Sequence, residues 1–92
     1  MEFEWDDAKA EANFKKHDVQ FAEAVSIWAD DNALEIHDPD HSDKEDRWIR
    51  LGISSKARML VVVFVEKISE EKIRVISARK ADKPEEKNYF KR

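Results

Sequence analysis

The sequence contains no cysteine, a single glycine and only two prolines in 92 residues. Without cysteine there are no disulfides and no thiolate metal ligands, which suits a reducing compartment. With so few helix and strand breakers, regular elements must fill most of the chain. Long apolar runs are also missing. The longest, Met59 to Val65, falls far short of the roughly 18 residues that a membrane-spanning helix requires. Met1-Glu2-Phe3-Glu4 does not read as a signal peptide. These absences predict a soluble, cytoplasmic protein with no membrane association.

What is present predicts one domain over residues 1–92. Apolar residues make up 41% and nine residues are aromatic, enough for one modest core and too little for two. The formal charge of −4 hides a division. Residues 1–43 carry 3 Lys/Arg against 13 Asp/Glu, a net −10, whereas residues 44–92 carry 14 against 8, a net +6. An acidic average argues against a general nucleic-acid binder, but a binding face needs only a local basic patch. Uneven charge also arises as ordinary solvated surface, and that reading stays open.

Hydrophobic periodicity orders the elements. Asp6-Asp7 precedes Ala8-Lys9-Ala10-Glu11-Ala12, with carboxylates where free N–H groups favour them, and Lys15-Lys16-His17 close the segment; a helix is predicted from Asp7 to His17. Phe21, Ala24, Val25 and Trp28 follow helical spacing, predicting a second helix to Ala29. The period then changes to two. Leu34 and Ile36 alternate with polar neighbours, Asp38-Pro39-Asp40-His41-Ser42-Asp43 reads as a loop, and a strand runs from Asp46 to Ile53 with Ile49, Leu51 and Ile53 on one side and Trp48 and Arg50 on the other. Met59 to Val65 is apolar on both faces, as a central strand is, and Lys72 to Ala78 or Arg79 forms the fourth strand. Asp82 as cap with Pro84 in the first turn starts a last helix. The expected fold class is α+β: two N-terminal helices, a four-stranded antiparallel meander and a C-terminal helix, with helices on one face and the other face open to a partner.

Three constellations carry possible chemistry. His37, Asp38, Asp40, His41 and Asp43 have metal-ligand side chains, yet the same letters serve a polar turn, and no second ligand group of fixed spacing completes a site. No metal or other cofactor is expected. On the first helix Lys9, Asn13 and Lys16 share a face with His17 at its edge, either a cationic face for phosphate or a structural helix end. The third set is Arg47, Arg50, Lys56, Arg58, Arg74, Arg79 and Lys80, with Trp48 among them and Tyr89 after them. Guanidinium forks fit phosphate and exposed aromatics stack bases, as single-stranded RNA recognition requires. The competing reading is a sheet surface laced with ion pairs to Glu66, Glu70 and Glu71.

One resemblance bears on that choice. Phe3-Glu4-Trp5-Asp6, then Lys9, Asn13, Lys16-His17 and Val19, resembles the opening of the BrnT family, and the similarity continues through Asp38-Pro39-Asp40-His41-Ser42, Arg47, Gly52, Val61-Val62-Val63-Phe64, Arg74-Val75-Ile76-Ser77-Ala78-Arg79-Lys80-Ala81 and the Glu85 to Tyr89 spacing. It spans nearly the whole chain. The resemblance implies a RelE-like fold and a ribonuclease toxin of a type II toxin–antitoxin system, which cuts RNA without a metal by attack of the ribose 2′-hydroxyl on its own phosphate. It also implies a BrnA-like antitoxin with a ribbon-helix-helix domain, through which alone operator DNA is bound.

Three departures stand out. Asp18 replaces the usual glycine at the end of the first helix, Gln20 replaces a small cap, and Glu85-Glu86 replaces an Arg-rich start to the last helix. On this reading the catalytic candidates are Arg79, Arg47, His17, Lys16 and Tyr89. Arg79 and Arg47 act as phosphate ligands, and His17 is the one group among them whose ordinary pKa lies near neutrality. Lys80, Lys9, Arg50 and Trp48 are candidates for holding RNA. The rival class is a non-catalytic module, or a toxin fold that has lost cleavage and only pairs with its antitoxin.

Overall fold

In the computed structural model, residues 1–41 and 45–91 are described, His41 by its backbone alone. The elements in chain order are β1 (Glu2–Glu4), α1 (Asp7–His17), α2 (Phe21–Val25), β2 (Leu34–His37), β3 (Arg47–Ile53), β4 (Met59–Lys67), β5 (Lys72–Lys80) and α3 (Lys83–Phe90). The α+β class and the bounds of α1 follow the sequence expectation. The second helix is shorter as an α-helix than predicted, because Ser26–Ala29 tightens into a 3-10 turn.

The sheet has five strands, not four, in the order β1-β5-β4-β3-β2. Strands β2 to β5 form the expected antiparallel meander. The added strand is the Glu2–Glu4 opening, which pairs parallel to β5 through Glu2–Lys72, Phe3–Ile73 and Glu4–Arg74. Three residues are too few for a period to be read in the sequence.

Helices cover both faces, which corrects the expectation of one open face. On one face Val19 from the turn after α1, Phe21 and Ala24 of α2 and Ile27 of the 3-10 turn pack onto Leu60, Val62, Val75 and Ala78, with Ala10 of α1 against them. On the opposite face α3 sets Tyr89 against Leu51 and Val61, with Leu34, Ile49, Ile53 and Met59 around them. Helix α3 is short, so it covers only one end of that face; Arg47, Arg74 and Lys67 lie beyond it at the other end.

A β-bulge decides which side chains reach which face. Val63 pairs with Ser77 but Phe64 pairs with Val75, so Ile76 is an extra residue in β5. Strict alternation from Val75 aims Arg79 at the α1 and α2 face. The bulge reverses the phase, burying Ala78 under α1 and turning Arg79 to the α3 face, while Lys80 points the other way.

Asn13 secures the reversed segment. Among the described residues no strand pairs with β5 on its outer edge beyond Arg74, because β1 ends at Glu4. The Asn13 carboxamide fills that gap: Nδ2 donates to the Ala78 and Val19 carbonyls at 2.9 and 3.0 Å, and Oδ1 accepts from the Ala78 N–H at 3.0 Å. Asn13 is 8% exposed. It is therefore a backbone substitute, not part of a cationic face. Asn13→Leu leaves one buried N–H and two carbonyls without partners, and is expected to lower stability by about 3 kcal/mol. A urea titration checks this as a lower midpoint at unchanged slope.

Candidate functional site

The structure separates the candidate residues into three groups. Arg79 and Arg47 share the α3 face, opposite Val61 and Val65 of β4 respectively. Those positions are four residues apart along β4 and two strands apart across it, which places the two arginines about 16 Å from each other. Lys80 sits on the other face, its ammonium 3.7 Å from the Asp18 carboxylate at the end of α1, where Lys16 and His17 also lie. Arg50 and Trp48 share that second face near its β2 edge. Arg50 bonds Glu35 at 2.6 Å and its guanidinium lies 5.1 Å from the Trp28 ring, and Trp48 meets His37 edge-on at 4.9 Å.

Arg79 is held by a fork. Its Nη1 and Nη2 donate to the two oxygens of Glu85, each at 2.7 Å, and Nη1 also reaches the Lys80 carbonyl at 3.3 Å. Glu85 comes from the first turn of α3, where it forms a capping box with Asp82: its Oε1 accepts from the Asp82 N–H and its own N–H donates to Asp82 Oδ1, both at 2.9 Å. The glutamate that departs from an Arg-rich helix start is thus the partner of the leading candidate. The Arg79 hydrogen bonds hold the Glu85 carboxyl down at about 2, against a partial burial that pushes it up.

Tyr89 is 5% exposed and its hydroxyl donates to Asp30 Oδ2 at 2.7 Å, so it serves the core between α3 and the end of β3. Burial pushes the Asp30 carboxyl up, but Tyr89 and the backbone N–H groups of Ile53 and Asn32 together hold it below its ordinary value. Gly52 lies under the same turn, where an added Cβ meets Ala33 and Ile27 at 3.1 and 3.2 Å. Asp18 takes the left-handed conformation at φ 58°, as a glycine does there, and its carbonyl accepts from Arg58 at 3.0 Å. Arg58 also binds the buried Glu23 carboxylate, which it holds below the usual range. Sequence reasoning missed Glu23 and Asp30 because single acids on short helical segments look like solvated positions.

Of the loop acids and imidazoles considered as metal ligands, Asp43 and the His41 side chain lie outside the description. Among the described residues no three such groups converge. His37 Nε2 instead lies 3.5 Å from Asp46.

Beside α3, Leu34, Ile36, Ile49, Leu51 and Val61 line an apolar groove of about 200 Å³ with Glu85 and Asn88 on its rim. Ile36, on the edge strand, is 61% exposed. A second hollow of about 400 Å³ lies where β1 hands over to α1, lined by Glu4, Trp5, Asp6, Lys9, Arg74 and the Val75-Ile76 segment.

A short mixed sheet with two helices on one face and a small third helix on the other defines a small α+β domain. It is similar to the 1.1 Å crystal structure of the Brucella abortus ribonuclease toxin BrnT, with a TM-score of 0.65 and 25% identity over 90% of this chain and 99% of that one. A search of curated proteins gave no match. The family described as "Ribonuclease toxin, BrnT, of type II toxin-antitoxin system" matches residues 5–85, and the chain belongs to it.

The Arg79–Glu85 fork has a pH signature. Glu85 is depressed from 4.5 to about 2 in the folded chain, so its stabilising contribution is complete above pH 4.5 and is lost as the pH falls towards 2. The pair is partly solvent-screened, and the contribution is no more than about 2 kcal/mol. Thermal unfolding of Glu85→Gln is expected to be less stable at pH 7 and to lack the part of the acid decline that the wild type shows between pH 4.5 and 2.

Proposed function

We propose that the chain is an endoribonuclease toxin that cuts RNA by attack of a ribose 2′-hydroxyl on the adjacent phosphate, without a metal, and that a BrnA-like ribbon-helix-helix antitoxin neutralises it and carries any operator binding. Membership of the BrnT family over residues 5–85 carries this reading. The attack generates a phosphorane whose extra negative charge needs fixed cations. Arg79, on the sheet face that α3 covers only in part, is the cation proposed for that task, and Arg47, about 16 Å away on the same face, is proposed to hold a different phosphate of the bound strand. His17, Lys16 and Lys80 cluster around the α1 end on the other side, and on this reading they hold flanking RNA, with His17 the candidate for proton transfer.

The apolar groove at Ile36 supports a protein partner. An exposed isoleucine on an edge strand beside a hydrophobic groove suits a docked apolar segment, which we assign to the antitoxin. A second reading is favoured by one observation: Glu85 already fills the Arg79 fork. A toxin fold that keeps antitoxin binding and has lost cleavage has no need of a vacant arginine.

Expression without antitoxin, with RNA integrity as the readout, separates the two. Cleavage in the wild type that disappears in Arg79→Ala, with the fold retained by circular dichroism, is the expected result; intact RNA in the wild type decides for the non-catalytic reading. Ile36→Asp is expected to reduce antitoxin capture at least tenfold while leaving the thermal midpoint within a few degrees of wild type.

A further inference from the structure

The hollow at the β1 to α1 junction is lined by groups that suit a nucleotide. Arg74 is on one wall, on the side of the sheet that α3 leaves uncovered, with a side chain 42% exposed. Its Nε donates to Glu4 Oε2 at 3.0 Å. Among the described residues its two Nη groups make no hydrogen bond, in contrast to Arg79, whose Nη pair is taken up by Glu85. A guanidinium oriented through Nε with its fork unengaged is arranged to meet an external anion edge-on.

The two acids that line the hollow, Glu4 and Asp6, are each engaged by neighbouring donors. Glu4 accepts from both Lys67 and Arg74 at 3.0 Å, and Lys72 lies 4.0 Å from its other oxygen. Lys67 also lies 3.8 Å from Glu70, and the hollow's own lining sets Arg74 and Lys9 against Glu4 and Asp6. On the opposite wall Lys9 meets no carboxylate among the described residues, while Asp6 is engaged as the α1 cap, accepting from the Lys9 N–H at 3.0 Å. Trp5 forms the aromatic wall, its ring held edge-on by Phe21 at 6.0 Å. Along the floor no strand among the described residues pairs with β5 on this edge beyond Arg74, and Val75 and Ile76 line the hollow. At about 400 Å³ the hollow is within the range of small-ligand sites.

We infer that this hollow is a nucleotide-binding subsite for single-stranded RNA, with Arg74 and Lys9 taking a phosphate, Trp5 stacking the attached base, and Glu4 positioning Arg74. The inference rests on the ribonuclease reading and names where the substrate is held outside the Arg79 region. Base stacking and one or two phosphate contacts are the usual means by which proteins hold single strands without reading their sequence.

The test uses the full chain and a fluorescently labelled single-stranded RNA carrying 2′-O-methyl groups, which cannot supply the attacking hydroxyl. Affinity is measured by anisotropy between 50 and 300 mM salt, values on the order of those over which phosphate contacts weaken. Arg74→Ala and Lys9→Ala are each expected to weaken binding about tenfold and to lower the salt slope by about 0.7, the contribution of one phosphate contact on a single strand. Arg74→Lys is expected to restore the slope but not the full affinity, since a lysine lacks the fork. Lys15→Ala, on the exposed side of α1, is the control and is expected to match the wild type. Wild-type binding with both Arg74→Ala and Lys9→Ala unchanged in affinity and slope overturns the subsite and leaves the proposed function standing. A wild type that neither binds this RNA nor cuts its unmodified counterpart overturns both.

Discussion

Beyond Arg74 the last strand pairs with no outer strand among the described residues, and the carboxamide of Asn13 takes over its hydrogen bonding at Ala78. Much of the arrangement depends on that substitution of side chain for strand. It fixes α1 to β5, ties in the Val19 turn that leads to α2, and holds the chain just after the bulge at Ile76. An amide suits the task because it offers a donor and an acceptor side by side, as a strand residue does. No carboxylate or hydroxyl does both in that geometry.

The bulge explains why the end of β5 has cations on both faces. One additional residue turns Arg79 to the side of α3 and leaves Lys80 beside Asp18. The molecule therefore distributes its positive charge around the sheet end and along the β1 edge, and neighbouring acids engage much of it. Glu85 takes Arg79, Glu23 takes Arg58 and Glu35 takes Arg50. Arg74 meets its acid through Nε alone, whereas Arg79 and Arg58 each meet theirs through two nitrogens.

Most of the fold was legible in the sequence. The helical spacing from Asp7 to His17, the doubly apolar Met59 to Val65 run and the Asp82 cap each reflect local physics that one segment expresses alone, and the family was legible in the motifs spread along the chain. Strand β1 and the α3 side were not, because a three-residue strand has no readable period and the choice of face depends on how the whole sheet is covered. The bulge was hidden for a related reason: Ile76 is as apolar as its neighbours, so the alternation runs through it without a mark. Among candidate site residues, type and order could be read, but engagement could not. Whether an arginine meets Glu85 through its fork or Glu4 through Nε is decided by side chains 6 to 70 positions away.

The two roles of Glu85 have a consequence for how α3 opens. One oxygen, Oε1, both caps the first turn and receives Arg79, so the start of the helix and its attachment to the sheet form one unit. Fraying must then proceed from the Phe90 end, where the ring is exposed and Lys91 N–H has a long 3.4 Å bond to Asn88. Tyr89, anchored by Asp30, marks where that fraying meets resistance. In hydrogen-exchange terms, α3 is a segment whose amides gain protection from its C-terminal end inward, with its slowest opening tied to the Arg79 fork.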